Sequence, residues 1–332
     1  MFQVIDMHCD TIPVLMRMAS KEKRADLADA DLHINVQKLE KGGYLCQCFS
    51  LFTNLEELKE SGETPYEHVR KLIAFWKDQI GQYPDQIVQV MNYAELCRAK
   101  EEGKIAAVMT AEEGAVYEGS LEKLHALYDE GVRISTLTWN YPNELGYPNP
   151  ERIPGKPYLP DLEQGLTKTG IAFVEEMERL GMCIDISHLN DAGIRDVFAH
   201  TKGPVIASHS NARGVCGHLR NLSDEMIRKI AERGGVAGIN FCPSFLREDT
   251  PDARDASVLD MVRHMKYFRE KGGMDMIALG TDFDGISGKL EIPDAQGMQH
   301  LADVMSHEGF TDGEIEKVFS DNVLRVFREC WK

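Results

Sequence analysis

Histidine and carboxylate side chains follow several apolar runs of the sequence, at the point where each run ends. The first run begins at Val4 and ends in His8 and Asp10. If the run is a strand, alternation places these two side chains on one face, where both could hold one metal ion. The side chains that end later runs are Glu112, Glu113, His188, His209, Asp282 and Asp284.

Three imidazoles and two or three carboxylates form a ligand set that suits divalent metals of hydrolytic enzymes, above all Zn²⁺. Two ions are favoured over one, because a carboxylate such as Glu113 can bridge a pair of ions about 4 Å apart. His8 and Asp10 would then hold one ion. His188 and His209 would hold the other.

Each of these side chains also has a purely structural explanation. A single histidine after a strand is more often a hydrogen-bonded core residue than a metal ligand. His8, His188 and His209 are three of only 11 histidines and all end apolar runs, so their joint occurrence favours ligands. Within the acidic pairs the choice is less secure, because Glu112 and Asp284 also fit salt bridges or turns.

Eight short apolar runs predict the strands that position these residues, and amphipathic helical segments lie between most of them. Strands that alternate with helices in this way favour a closed (β/α)8 TIM barrel of the metal-dependent amidohydrolase type, in which strand carboxyl ends form one active face. A doubly wound sheet is the competing fold, but the sequence has no Gly-rich loop after the first strand, as that fold would require. The runs are QVIDMH, LCQCFSLF, IAAVMTA, RISTLTW, CIDISH, PVIASHS, GVAGINF and MIALGTDF.

The length of 332 residues fits either two ordinary domains or one large barrel. The strand pattern favours a single barrel domain over residues 1–332. A loop near residues 141–165, after the fourth strand, interrupts the pattern, and the segment 140–165 holds six of the 13 prolines. We expect it to form a wall or lid over the active face, the alternative being a surface excursion.

The chain carries 54 acidic and 37 basic residues, a net charge of −17. This charge disfavours binding to nucleic acid or to an anionic membrane. No basic leader precedes the first strand, and the eight cysteines show no Cys-x-x-Cys spacing. We therefore expect free thiols and a cytoplasmic protein.

An arginine lies between the sixth strand and the helix that begins near LSDE. Arg220 could be an ordinary cation beside a helix. On the active face it would instead hold a substrate carboxylate with two parallel hydrogen bonds.

Taken together, these residues resemble the membrane (renal) dipeptidase family of zinc peptidases, in its bacterial type. The resemblance covers nearly the whole chain, and its segments occur in the family's order. They are DMHCDT, EEGAVYEGSLEKLHALYDEGVRISTLTWN, GLTKTG, DISHL, SHSNARGVCGHLRN and GTDFDG.

The resemblance implies roles for the matching positions. It implies that two zinc ions are bridged by Glu113, with His8 and Asp10 on the first ion and His188 and His209 on the second. It assigns Asp282 to the first metal as the acid/base residue. It assigns Arg220 to the terminal carboxylate of a dipeptide. Members are commonly homodimers, so a homodimer is an expectation from the resemblance alone.

The sequence departs from the family where animal members have a substrate-contacting histidine. Trp139 stands there, and an indole cannot replace an imidazole beside a developing oxyanion, so Asn140 becomes the nearest candidate donor. The resemblance implies hydrolysis of dipeptides through a hydroxide activated by two metal ions. Whether a D-residue is accepted at the second position stays open.

Two other functions use the same residues. A binuclear amidohydrolase that acts on N-acyl amino acids, lactones or β-lactams would use the same metal ligands. A metal-binding or scaffold protein without turnover is less favoured, because all five ligands expected from the family are present.

Overall fold

The computed structural model describes residues 1–21, 23, 25–153, 155–247 and 255–331. Eight parallel strands close into a barrel, because each pairs with the next and the eighth pairs with the first. They coincide with the eight apolar runs, so the predicted (β/α)8 barrel is confirmed. The strands are β1 Val4–Asp6, β2 Tyr44–Phe52, β3 Ile105–Glu112, β4 Val132–Thr136, β5 Cys183–Asp185, β6 Ile206–Ala207, β7 Val236–Ile239 and β8 Ile277–Leu279.

Helices surround the barrel, and several end where a glycine adopts a left-handed conformation. Gly131 (φ 113°) and Gly181 (φ 82°) end two of them. The helices are α1 Thr11–Ser20, α2 Val36–Gly42, α3 Leu55–Ser61, α4 Pro65–Gly81, α5 Tyr93–Glu101, α6 Leu121–Glu130, α7 Lys168–Leu180, α8 Asp191–His200, α9 Asp224–Glu232, α10 Pro243–Leu246, α11 Val258–Gly272, α12 Met298–His307, α13 Asp312–Glu316 and α14 Asn322–Cys330.

Two apolar clusters hold these layers together. The larger cluster lies between the barrel and its helices, where residues such as Met109 and Val174 are fully buried. The smaller one contains strand residues such as Val108 and Ala278 together with Val326 of α14. The C-terminal helix therefore packs against strand residues of the barrel, leaving the carboxyl ends of the strands to form the site.

Some elements were not predicted from the sequence. A short strand, Ile87–Gln89, pairs with the beginning of β3. Asp255–Ala256 and Lys289–Leu290 form a separate parallel pair. Among the described residues, no helix is both long and apolar enough to cross a membrane.

The proline-rich loop lies between β4 and α7. Its Asn149 backbone N–H donates to His188 O at 2.8 Å, and Pro148 forms an isolated bridge with Leu189. Tyr158 Oη accepts a hydrogen bond from Leu219 N at 3.3 Å. Pro154 lies outside the described residues. The described part of the loop is thus bonded to the chain that follows β5 and β6.

Candidate metal centre and substrate pocket

Glu112, the last residue of β3, lies at the centre of a buried cluster. Its Oε2 is 3.1 Å from His8 Nε2, and its Oε1 is 3.1 Å from His188 Nε2. Oε1 also lies 3.6 Å from His209 Nε2, while Ser50 Oγ donates to Oε2 at 3.0 Å. The two carboxylate oxygens therefore face different histidines, so each oxygen could contribute to a different metal site.

Glu113 does not take part in this cluster. Its carboxylate accepts hydrogen bonds from Ala115 N at 2.8 Å, from Trp139 N at 3.0 Å and from the Asn143 side chain. Burial raises the pKa of Glu113 to about 7. Glu112, and not Glu113 as the sequence predicted, therefore lies among the candidate metal ligands, because β3 ends with the Glu112 side chain pointing into the barrel.

A second group of ligand atoms shares His8 with the first. Asp10, which follows β1, and Asp282, which follows β8, join His8 so that one atom from each lies within 4.8 Å of the others. His8 Nε2 is 3.8 Å from Asp10 Oδ1. With the trio His8, Glu112 and His209, this gives two overlapping sets of candidate metal ligands.

The charges of these groups fit bound cations. Burial and repulsion from Glu112 raise the pKa of Asp10 well above its usual range. Burial alone would lower the pKa of His8, but attraction to carboxylates, chiefly Glu112, raises it to about 10. Neither His8 Nε2 nor Asp10 Oδ1, both buried, makes a well-aligned hydrogen bond to any described residue, although His8 Nε2 lies 3.1 Å from Glu112 Oε2. Divalent cations would bind these atoms and offset the carboxylate charge.

Burial disfavours a positive charge on the other two histidines, and hydrogen-bond partners orient their rings. Burial, and then repulsion from Arg220, lowers the pKa of His188 to about 4. Burial and the charge of His8 lower the pKa of His209 well below its usual range. Their Nε2 atoms lie 3.0 Å apart and next to Glu112. A neutral imidazole whose Nε2 points at a carboxylate suits metal binding.

Partners on Nδ1 set the orientation of both rings. Asn140 Oδ1 lies 3.0 Å from His188 Nδ1. Ser208 Oγ lies 2.7 Å from His209 Nδ1 and donates to the buried carboxylate of Asp185. In each case a proton on Nδ1 leaves the Nε2 lone pair free for a metal.

Asp282 has the properties of a proton-transfer group. Burial, together with repulsion from Glu112, raises its pKa to about 6 even though His8 opposes the shift. Asn240 Nδ2 donates to Asp282 Oδ2 at 2.9 Å, which fixes the orientation of the carboxylate. A carboxyl group whose pKa is near neutral can both accept and return a proton.

Arg220 is buried beside the cluster with spare hydrogen-bonding capacity. Its Nη1 donates to Ser210 Oγ and its Nη2 to His209 O, both at 3.3 Å. Its Nε is buried and has no partner among the described residues. Burial lowers the pKa of Arg220, and Asp282 and Glu112 oppose that shift. A guanidinium with unmet donors is suited to a ligand carboxylate.

Aromatic residues line one side of the site. Trp139 makes an edge contact with Phe52, with ring centroids 4.8 Å apart, and lies 6.2 Å from the His188 ring. Tyr141 also packs against Trp139, with a centroid distance of 5.6 Å. Trp139 is partly exposed at this site. Asn140, which was expected to contact substrate, instead contacts His188.

Four residues that follow strands have backbone angles that are rare outside glycine. The φ angle is 101° for Glu113, 69° for His188, 61° for Asp282 and 66° for Asp284. Such angles cost roughly 1 to 3 kcal/mol each and are often found at functional sites. They also turn side chains out of the regular strand alternation.

Several supporting residues were not identified from the sequence. Ser208 and Asn240 each contact a predicted site residue, and Asp185 accepts a hydrogen bond from Ser208. The sequence contains a cue to these residues, since all three are polar side chains at or near the ends of predicted strands. Residue type at a strand end singles out metal ligands and does not distinguish the hydrogen-bonding side chains beside them.

Comparison with known proteins identifies relatives that match nearly the whole chain. The family model described as membrane dipeptidase (peptidase family M19) matches residues 1–331. An uncharacterized dipeptidase of Schizosaccharomyces pombe is 31% identical over 342 residues, covering 98% of this chain and 80% of that protein.

Two solved structures cover 99% of this chain and 99% of their own, each with a TM-score of 0.90. One is dipeptidase AC, a metallopeptidase of family M19, at 26% identity. The other is a metallopeptidase from Rhodobacter sphaeroides with a phosphinate mimic of the dipeptide L-Ala-D-Ala, at 25% identity. The chain belongs to the membrane dipeptidase family, peptidase family M19.

Proposed function

We propose that this protein is a zinc-dependent dipeptidase that uses two metal ions and accepts either an L- or a D-residue at the second position. The observation that carries the proposal is the position of Arg220, a buried guanidinium with an unpartnered Nε, beside the Glu112 cluster. A metal centre would act on the scissile amide while the guanidinium holds the carboxylate one residue beyond it.

The ligand sets suggest how the two ions are held. His8, Asp10 and Asp282 would hold one ion. His188 and His209 would hold the other, with Glu112 shared between them. When bound, such ions lower the pKa of a water molecule toward about 7 and polarise a carbonyl group.

The side chains of this chain would carry the proton and orient the substrate. Asp282, with its pKa near 6 and Oδ2 held by Asn240, would accept a proton from the attacking water. It would then return that proton to the departing amine, which is a poor leaving group without such help. Arg220 would place the substrate so that the amide bond lies over the cluster.

Arg220 also accounts for selection of dipeptides over longer peptides. A dipeptide has its terminal carboxylate one residue beyond the scissile bond, whereas a longer peptide has a neutral amide there. Filling the buried site around Arg220 with an amide would leave the guanidinium without an anionic partner. The phosphinate mimic bound by the Rhodobacter sphaeroides relative supports extending the substrate range to a D-residue at the second position.

A substrate panel tests this proposal. Purified protein loaded with zinc would be assayed with L,L- and L,D-dipeptides, with the matching tripeptides and with N-acetyl amino acids, each with and without a chelator. We expect chelator-sensitive hydrolysis of both dipeptide classes and little turnover of the others. Hydrolysis of N-acetyl amino acids with no action on dipeptides would overturn the proposal.

A further inference from the structure

Glu113 is a fully buried glutamate that makes no contact with the ligand cluster. It is 0% exposed, and its three hydrogen-bond donors are the backbone N–H groups of Ala115 and Trp139 and the side chain of Asn143. None of these donors carries a charge. A buried carboxylate held only by neutral donors is costly, so its presence needs an explanation.

The backbone at Glu113 adds to this cost. Its φ angle of 101° lies in the region that glycine adopts without strain and other residues rarely occupy. A glycine here would relieve the angle and remove the buried charge together. The carboxylate must therefore make contacts that compensate for both.

These contacts hold the chain that leaves β4. Asn143, which donates to Glu113, also donates to Leu137 O at 2.9 Å and accepts from Leu145 N at 2.8 Å. Next to Glu113, Gly114 lets this segment come close, since a Cβ there would lie 2.3 Å from Leu137 O. Glu113 and Asn143 thus clamp the turn 137–145 onto the end of β3.

The clamped turn carries two residues that face the site. Trp139 donates its backbone N–H to Glu113 and places its ring against Phe52. Asn140, the next residue, contacts Nδ1 of the metal-ligand candidate His188. A change in the turn would therefore move both the aromatic wall and the partner that orients His188.

We propose that Glu113 is a positioning residue, whose carboxylate fixes the turn 137–145 so that Trp139 and Asn140 keep their places beside His188. The consequence for catalysis rests on the proposed dipeptidase function. The structural part does not, because the position of Trp139 can be measured without any substrate.

Tryptophan fluorescence provides that measurement. The three tryptophans are Trp76, Trp139 and Trp331, and only Trp139 is partly exposed, since the other two are 0% and 4% exposed. Subtracting the signal of Trp139→Phe isolates the Trp139 component. Its quenching by acrylamide reports how firmly the ring is held against Phe52.

The main variant is Glu113→Gly, which removes the clamp but suits the backbone angle. Asn143→Ala removes the other half of the clamp and serves as a second test if Glu113→Gly does not fold. Glu144→Gln is the matched control, because Glu144 is an exposed glutamate in the same turn. All would be measured in the full-length protein, with and without zinc.

We expect Glu113→Gly and Asn143→Ala to shift the emission of Trp139 to longer wavelength and to increase its quenching, while Glu144→Gln matches wild type. In the dipeptide assay at saturating zinc, where weaker affinity no longer limits loading, both clamp variants should bind the wild-type amount of zinc and still lose roughly 10- to 100-fold in kcat/KM. If the wild type hydrolyses no dipeptide, the proposed function fails, but the fluorescence comparison still decides this inference.

Two outcomes would overturn the positioning role. One is an unchanged Trp139 signal in a folded clamp variant. The other is loss of bound zinc in Glu113→Gly without any change in fluorescence, since that would make Glu113 a metal ligand after all.

Discussion

Asn140 Oδ1 lies 3.0 Å from His188 Nδ1, on the side of the ring opposite the Glu112 carboxylate. This contact requires the Nδ1 proton to be on His188, because the amide oxygen is an acceptor. The Nε2 lone pair is then left for a metal ion. Ser208 and Asp185 do the same for His209, so both histidines are oriented by neighbours that lie outside the candidate ligand sets.

Replacing Asn140 should weaken metal binding without removing a ligand. We expect Asn140→Ala to lower zinc affinity by roughly 10- to 100-fold, since the His188 ring loses the partner that fixes its orientation. Asn140→Asp keeps an acceptor oxygen at this position and should bind zinc nearly as well as wild type. Competition titration with a zinc-binding dye measures both, and equal affinity in Asn140→Ala and wild type would refute this role.

The adjacent pair Glu112 and Glu113 offers a matched comparison of the metal centre. We expect Glu112→Gln to lose most bound zinc, because a neutral amide cannot balance two cations as a bridging carboxylate does. Glu113→Gln should keep its zinc, since that side chain lies outside the cluster. Metal content by mass spectrometry distinguishes them, and the reverse result would restore Glu113 as the bridge.

Changing Arg220 should affect substrate binding more than metal binding. In Arg220→Lys the planar fork is lost, so we expect KM for dipeptides to rise roughly 10- to 100-fold. Hydrolysis of a dipeptide amide, which has no carboxylate to bind, should be equally slow in variant and wild type. If the variant lost the same factor for both substrates, Arg220 would not be the carboxylate site.

His264 lies outside the candidate metal centre, and its burial should make the free energy of unfolding depend on pH. Its Nδ1 accepts from Ala212 N and its Nε2 lies 3.1 Å from Leu246 O. Burial lowers the pKa of His264 from 6.5 to about 4. Because the unfolded chain binds the proton more readily, this residue's contribution is complete above pH 6.5 and is lost as the pH falls toward 4.

His264→Gln removes that titration. We expect the difference in unfolding free energy between wild type and His264→Gln to shrink by about 2 kcal/mol between pH 7.5 and pH 5. Chemical denaturation of both proteins at the two pH values, with the same zinc supply, measures the change. A difference that does not vary with pH would show that His264 titrates normally in the folded protein.

The barrel could be predicted because its strands leave a clear record in the sequence. Parallel strands buried on both faces appear as continuous apolar runs, and all eight runs became barrel strands. Because both faces of β3 are buried, the sequence also does not show whether Glu112 or Glu113 points into the barrel. Residues 105–109 are apolar on both faces of β3, so alternation cannot be read from them. Thr110, which is in phase with Glu112, was the only cue.

The contacts made by the loop residues could not be predicted from the sequence, for a different reason. Asn140 was expected near a developing oxyanion because it follows Trp139 in sequence. Its actual partner, His188, is 48 residues away and has a left-handed φ angle. Hydrogen bonds between irregular segments leave no periodic pattern, so only the three-dimensional arrangement identifies them.

The central claim is that two metal ions, bridged by Glu112, act on a dipeptide. The most direct test is to add zinc stepwise to chelator-treated protein while measuring both bound zinc per chain and dipeptide hydrolysis. We predict that binding saturates near two zinc ions per chain, that activity follows zinc binding, and that Glu112→Gln shows neither. Full dipeptide hydrolysis by the metal-free protein, or by zinc-free Glu112→Gln, would contradict this account.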